Sequence, residues 1–483
     1  NSDWLGPALL SALAVASGNG WGSTMSRALN AGQEGEGPLF RESSGMLGLY
    51  MLVVLAGRFL FANLFLAVIA TLFITGCASN APLDTLDPAG RKSTDIKNLI
   101  NPIFVIAGVV FVIIQGAVLY LGWKFRVREP KDGEESYDGG YPDEEFPEQV
   151  HGHFAAEIGW TIGPTILMAA IAIFSVGALL SLDDVDAAPD EAVYPEIEVL
   201  VVGQQWWWEY QYYLDGVDGA EQPDFVTANE IVVPVGQDIR IHTTSRDVLH
   251  SFWIPRLNGK KDSVPGRTSP WVLQSNEIGR FAGQCTEFCG LSHAYMRMYA
   301  VSLTQENFQI WVDNQMRTRE PLQESDENYE GEQVFLLNCA RCHVINGVTS
   351  RDISGSVQLD SMALYGNIEE YRNHSDGTLS QGKYTGSANL TSGAAPNLTH
   401  FATRSSYSGS FFQLYPDAQE MADAGNYLDL PGSDYARGTL EAWLRNSPKE
   451  KPNAQPEQAR GMPNLNLSEA DIDLLVDYLI SLD

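Results

Sequence analysis

Residues 285–296 read Cys285-Thr286-Glu287-Phe288-Cys289-Gly290-Leu291-Ser292-His293-Ala294-Tyr295-Met296. Two thiols, an imidazole and a thioether within one short stretch form a dense set of soft donors, which suits copper. A second imidazole stands upstream at His250, in Asp247-Val248-Leu249-His250-Ser251-Phe252. Cys285 and Cys289 alone are compatible with a disulfide in an exported protein. Structural zinc sites combine Cys with another Cys or His pair and lack Met. With both histidines and Met296 present, the pattern favours two coppers bridged by two thiolates. One His on each copper, a weak Met donor on one and a backbone carbonyl on the other complete the set. Such a pair spreads charge over both metals, so its geometry changes little when it gains an electron. That is electron-transfer chemistry.

The residues around this stretch predict the fold. From residue 196 to residue 317 the chain reads as short β segments: Ile197, Val199 and Val201 alternate, and Ile231 to Val235, Ile239 to Thr243 and Tyr299 to Leu303 follow. Pro234-Val235-Gly236 and Pro265-Gly266-Arg267 are turn signals between them. Several short strands separated by turns predict a β-sandwich or barrel.

Upstream lie long apolar runs. Leu99 to Leu121 and Ile158 to Leu182 are each long enough to cross a bilayer core of about 30 Å. The loop between them carries Lys124, Arg126, Arg128 and Lys131, and no Lys or Arg follows the second run until Arg240. Positive residues favour the cytoplasmic side. The loop is therefore expected inside, and everything after Leu182 outside, in the periplasm or extracellular space of a bacterial cell. Residues 77–182 then form a transmembrane hairpin. Met51 to Gly76 reads as an export signal ending in Ile74-Thr75-Gly76-Cys77, which resembles a lipoprotein box with Cys77 as the lipidated residue. An uncleaved membrane helix is the alternative. Residues 1–50 are Gly-, Ser- and Ala-rich and carry no functional reading; they are an upstream segment of uncertain status.

Downstream, residues 318–330 are acidic and read as a linker. From residue 331 to residue 483 helical patterns return, ending in an amphipathic helix over Leu467 to Leu482. Cys339-Ala340-Arg341-Cys342-His343 is the c-type haem attachment pattern: two thiols add to the haem vinyl groups and the His reaches the iron. A thioredoxin-like redox pair is the rival, weakened by the following His and by the lack of a βαβ context. A second axial ligand is needed, and Met raises the potential. Met462, in Gly461-Met462-Pro463-Asn464-Leu465, is the choice, with Met421 as competitor.

The chain has 61 acidic and 30 basic residues and a net charge of −31, which argues against nucleic acid as a partner. It fits a solvated acidic surface, or a docking face for a basic electron donor. The five cysteines, an odd number, make a poor disulfide framework.

The segment from Cys285 to Met296 resembles the copper A motif of cytochrome oxidase subunit II at every ligand position. The resemblance covers about residues 77–483 and extends to a caa-type haem–copper oxidase subunit with a fused C-terminal cytochrome c. It implies a cupredoxin-like copper A domain and an all-α class I cytochrome c domain. Carried over, the copper ligands are His250, Cys285, Cys289, His293, Met296 and the backbone carbonyl of Glu287. The Glu287 carboxylate would reach magnesium at the interface with subunit I. Gly203-Gln204-Gln205-Trp206-Trp207-Trp208-Glu209-Tyr210 resembles the family's aromatic segment, with Trp207 a departure from the usual middle residue. Trp206 matches an exposed Trp that passes electrons from a soluble cytochrome c, while Trp207 and Trp208 read as packing residues. Lys260 to Arg267 resembles a segment near the subunit I interface. Glu157-Ile158-Gly159-Trp160-Thr161-Ile162-Gly163-Pro164 resembles the start of the family's second membrane helix, where the matching Glu157 is tied to a proton-channel mouth. On physics alone, Glu157 reads equally as a carboxylate favoured by a helix N-terminal dipole. Ala395 to His400 resembles a segment of oxidase-fused cytochromes.

The function implied is one-electron transfer from a cytochrome c or a respiratory complex, through haem c and copper A, to the haem and copper of subunit I. Oxygen reduction to water and proton translocation would occur there, with other oxidase subunits and the membrane as partners. The alternatives are a nitric-oxide- or nitrous-oxide-reductase component, a membrane-tethered electron carrier, and a quinol-oxidase subunit that keeps the fold without metal; the retained ligands argue against the last.

Overall fold

The computed structural model describes residues 81–124, 152–182, 184–217, 223–349, 395–452 and 461–483. The chain divides into two compact units, Asn1–Ala81 and Pro82–Asp483, and every described element lies in the second. Residues 1–50, the export signal over 51–76, Cys77, Arg126, Arg128 and Lys131 lie outside the described residues.

The two apolar runs are helices, α1 over Arg91–Lys124 and α2 over Phe154–Leu182. Both begin before the apolar runs predicted: the polar stretch Arg91–Lys97 leads into α1, and Phe154-Ala155-Ala156-Glu157 into α2. Their 18-residue apolar windows reach mean hydropathies of 2.6 and 2.3, and none of those residues is buried. Phe111, Leu119, Phe174 and Leu180 are all more than 60% exposed. Apolar surface on this scale is stable in lipid and not in water. The start of α1 and the end of α2 are stitched together by Lys92, whose ammonium donates to the carbonyls of Ser181 and Asp184.

Ten strands follow: β1 (Glu198–Gln204), β2 (Trp207–Tyr213), β3 (Phe225–Ala228), β4 (Glu230–Pro234), β5 (Ile239–Ser245), β6 (His250–Trp253), β7 (Lys260–Ser263), β8 (Ser269–Leu273), β9 (Gly279–Gln284) and β10 (Arg297–Leu303). They form a five-stranded sheet ordered β3-β2-β1-β5-β8, a three-stranded sheet ordered β4-β10-β9, and the β6-β7 pair. β1 runs parallel to β5, and β4 parallel to β10. This is the expected β-sandwich. Val199 and Val201 of β1 enter the main core with Trp208, Tyr210 and Tyr212, whereas Leu200 and Val202 join a second small cluster with Tyr213 and Val217. Burial on both faces explains why the alternation in β1 is faint in the sequence. Trp208 meets Phe252 edge-on at 5.4 Å, and the Tyr212 hydroxyl closes the sheets by bonding the Val232 backbone twice, at 2.8 and 2.9 Å. Trp207 and Trp208 are buried, consistent with packing roles.

Helix α3 (Gln305–Gln315) leaves the sandwich, capped by Thr304 and burying Phe308, Trp311 and Val312. The residues read as a linker are bound down: Arg319 N donates to Asn346 O, and Leu322 N to the buried Glu332 carboxylate. Beyond them stand α4 (Tyr329–Asn338), α5 (Ala418–Asp423), α6 (Arg437–Glu450) and α7 (Glu469–Ile480). The Leu and Ile spacing read as an amphipathic helix is α7, which buries Ile472, Leu475, Val476 and Leu479 behind a Ser468–Asp471 capping box. α4 crosses α7 closely at Gly331, where a Cβ would come within 2.4 Å of the Leu474 carbonyl oxygen. The C-terminal region is not purely helical among the described residues. A short hairpin of β11 (Ser406–Tyr407) and β12 (Phe412–Gln413) lies between α4 and α5 and packs on the sandwich.

Candidate metal centre and neighbouring cavity

The predicted copper donors come from two places. β6 delivers His250, and the loop from β9 to β10 delivers the rest. The loop is held by a Cys285 N to Met296 O bond of 3.0 Å that continues the β9–β10 ladder across its base. Cys285 Sγ lies 3.9 Å from Cys289 Sγ, 3.9 Å from His250 Nδ1 and 3.3 Å from the Glu287 carbonyl oxygen. Cys289 Sγ lies 3.5 Å from His293 Nδ1 and 3.8 Å from Met296 Sδ. The ligating atoms of His250, Cys285 and Cys289 all fall within 4.8 Å of one another. Thus all six predicted donors converge, and one His stands by each thiol.

The chemistry of the cluster suits bound metal. Both thiols are buried and unpaired by any disulfide. The hydrogen bond from Cys289 pulls the Cys285 pKa down to about 4, with help from His250 and Ser251, and the same pairing pushes Cys289 up. The pair thus shares one proton, and both sulfurs can ionise together only with a cation between them; soft donors favour copper. Glu287 is exposed, and its carbonyl faces the Cys285 thiol.

Sequence reasoning missed the groups that orient these donors. Asp247 receives Gln205 N at 2.9 Å and Val248 N at 2.7 Å, and its carboxylate lies 2.9 Å from His250 Nε2. This fixes the ring with Nδ1 toward Cys285. Burial opposes charge on His250, but its bonds to Asp247 and Cys285 outweigh that and raise its pKa. The signal was present in the quoted Asp247-Val248-Leu249-His250. Gly203 is required nearby, since a Cβ there would sit 2.8 Å from His250 Cδ2.

Trp206 donates Nε1–H to the Cys289 carbonyl at 3.0 Å. It is only 3% exposed, contrary to the expectation of an exposed Trp. The C-terminal region covers it: Lys451 Nζ donates to the Trp206 carbonyl at 2.7 Å, and a Cβ on Gly409 would meet that carbonyl at 2.4 Å. Lys451 is itself buried, which lowers its pKa to about 7, and no sequence pattern marked it.

Trp206 also lines a cavity of about 670 Å³ shared with Cys339, Cys342, His343 and Met462. That volume is in the range of cofactor sites. The apolar walls include Phe335, Leu440, Trp443 and Leu479. His343 Nδ1 lies 2.8 Å from the Pro396 carbonyl, which can only accept, so Nε2 keeps its lone pair. Burial also lowers the His343 pKa, which keeps the ring neutral as ligation requires. Two thiols, a neutral imidazole and a thioether around an apolar cavity fit a c-type haem. Met421 does not line this cavity; its Sδ accepts a bond from Ser433 at 3.2 Å. Glu157, in the first turn of α2, accepts from His153 N at 3.1 Å, so it caps the helix.

A cupredoxin-like sandwich bearing a buried Cys, His and Met cluster defines an electron-transfer protein, and two apolar helices anchor it. A family profile described as cytochrome C oxidase subunit II, periplasmic domain, matches residues 197–303. A cytochrome c oxidase subunit 2 of Alkalihalophilus pseudofirmus is 36% identical over 282 residues, spanning 57% of this chain and 75% of that one. One of Bacillus subtilis is 31% identical over 296 residues, spanning 58% and 75%. A solved periplasmic domain of subunit II from Bradyrhizobium japonicum is 28% identical over 27% of this chain and 96% of that one, with a TM-score of 0.23. The chain belongs to the cytochrome c oxidase subunit II family. It is a subunit of an oxidase complex, an oxidoreductase in which it partners subunit I.

Proposed function

We propose that this chain is the electron-receiving subunit of a caa-type oxidase. Copper A would be held by His250, Cys285, Cys289, His293, Met296 and the Glu287 carbonyl. Haem c would be attached at Cys339 and Cys342 and ligated by His343 and Met462. The observation that carries the reading is a shared wall: Trp206 lines the cavity of the haem-type residues and donates a hydrogen bond to the backbone of Cys289. When bound, the two groups supply one-electron chemistry and no bond-making.

The chain's own residues supply position and insulation. Asp247 orients His250, and the Pro396 carbonyl orients His343. The sandwich core and the C-terminal region keep water from the thiols and from Trp206. Trp206 is therefore an internal relay between the two sites, and a free cytochrome c, or a respiratory complex, would reduce the C-terminal domain. Electrons would leave toward subunit I, where oxygen is reduced to water and protons are translocated. The exposed Glu287 carboxylate would meet magnesium there, and Glu157 would gather protons beside the membrane. The hairpin crosses the bacterial inner membrane with the later domains on the periplasmic side, and Cys77 carries lipid. Family membership favours this reading over a tethered carrier or a nitric-oxide-reductase-type subunit.

The test is purification of the membrane complex with metal analysis, visible spectra and EPR. Two coppers with a mixed-valence signal and one c-type haem on this chain are expected. A complex with neither a c-type spectrum nor a mixed-valence signal would sink the assignment.

A further inference from the structure

The contact between the C-terminal region and the sandwich is built around a carboxylate. Glu230, at the start of β4, is 2% exposed. Four donors from the C-terminal region converge on it. Ser405 gives its backbone N–H at 2.9 Å and its hydroxyl, Ser406 gives a hydroxyl at 2.5 Å, and Tyr427 gives its phenol. Two buried cations balance the charge. Arg280 Nη2 lies 3.9 Å away, and Arg404 of the C-terminal region interacts with it electrostatically. The Arg280 guanidinium also stacks 3.3 Å over the Tyr299 ring and bonds Gln413 of the hairpin. Around this centre the backbones interlock: Arg297 N donates to Gly409 O at 2.8 Å, and Ser410 Oγ to Asn229 O at 2.9 Å. Among the described residues, the partners of Glu230 outside the sandwich lie between residues 404 and 427, ahead of α6 and α7.

A buried carboxylate persists only where its lone pairs are filled and its charge is matched. Here the copper domain supplies the carboxylate and one cation, Arg280, and the C-terminal region supplies the four hydrogen bonds and the second cation, Arg404. The segment that ends in this clamp also carries Gly409, which closes over the Trp206 carbonyl.

We propose that Glu230 is a docking latch: it seats residues 404–427 on the copper domain, holds the C-terminal domain in one fixed position over Trp206, and so closes that face to any diffusing donor. Glu230 is thus a positioning residue for transfer between the two sites. The inference rests on the function proposed above for its meaning, though the latch can be read without it.

The experiment uses the purified oxidase complex carrying Glu230→Ala, Glu230→Gln or Tyr427→Phe. Hydroxyl-radical footprinting with mass spectrometry reads the oxidation of Trp206. Expected is at least a tenfold rise in Glu230→Ala, a smaller rise in Glu230→Gln, and a two- to threefold rise in Tyr427→Phe, which removes one bond and leaves the carboxylate. Trp206 as protected in Glu230→Ala as in the wild type would overturn the latch. If Glu230→Ala does not assemble, unchanged protection in Tyr427→Phe and Ser405→Ala overturns it instead. Loss of the haem reading is separate: it shows as a missing c-type spectrum in the wild type, whatever the footprint.

Discussion

The two candidate sites are built in opposite ways. The copper site draws its donors from one loop and one adjacent strand of a single sandwich, and its thiols lie 3.9 Å apart with the sheet already closed. The cavity beside it is walled by α4, α6, α7, the 395–409 segment and Trp206 of the other domain. Its four haem-type residues are spread from Cys339 to Met462. One site is preformed by a ladder of backbone bonds. The other is assembled by long-range packing around an apolar cavity. Loss of metal is therefore expected to spare the sandwich, while loss of haem is expected to loosen the C-terminal region.

Cys285→Ser gives the largest separation of the two. It should abolish the mixed-valence copper EPR signal and leave the c-type haem absorption intact; loss of both signals would show that the sites do not form independently. Next comes acid. Burial lowers the His400 pKa to about 4, despite its bonds to the carbonyls of Asp483 and Arg317. Between the ordinary His pKa and about 4 the unfolded chain takes up a proton that the folded site refuses. Stability therefore falls as pH drops through that window, by about 3 kcal/mol in all. Melting curves of wild type and His400→Asn should converge as the pH drops toward 4, with the C-terminal region melting first. If the sandwich melts first in acid, the contrast is wrong. Asp247→Asn should weaken copper retention against a chelator by ~10–100-fold while the haem spectrum stays unchanged. Ser468→Ala removes the cap of α7 and should cost about 1 kcal/mol, seen in thermal melting of the C-terminal region alone. No shift there would place α7 stability wholly in packing.

The copper site was legible because its donors are soft, rare and close in sequence, and because a single loop carries most of them. The Cys339–His343 pattern stood out for the same reason, and Met462 was preferred to Met421 because it sits just before the last amphipathic helix. The orienting groups were harder to see. Asp247 is an ordinary carboxylate until its burial beside His250 is known, and the Pro396 carbonyl has no sequence marker at all. The residues read as a linker looked free because they are acidic, yet backbone bonds to Asn346 and Glu332 hold them down.

Sequence by itself determined the parts. Donor chemistry, apolar length and strand alternation depend on near neighbours, so the copper loop, the membrane hairpin and the sandwich could all be read directly. Tertiary structure decided how the parts meet. Trp206 reads as an exposed electron-receiving residue, and it is buried because Gly409 and Lys451, more than two hundred residues away in the chain, close over it. No local pattern encodes that closure. It follows from a buried carboxylate, Glu230, whose partners become visible only when distant segments are brought together.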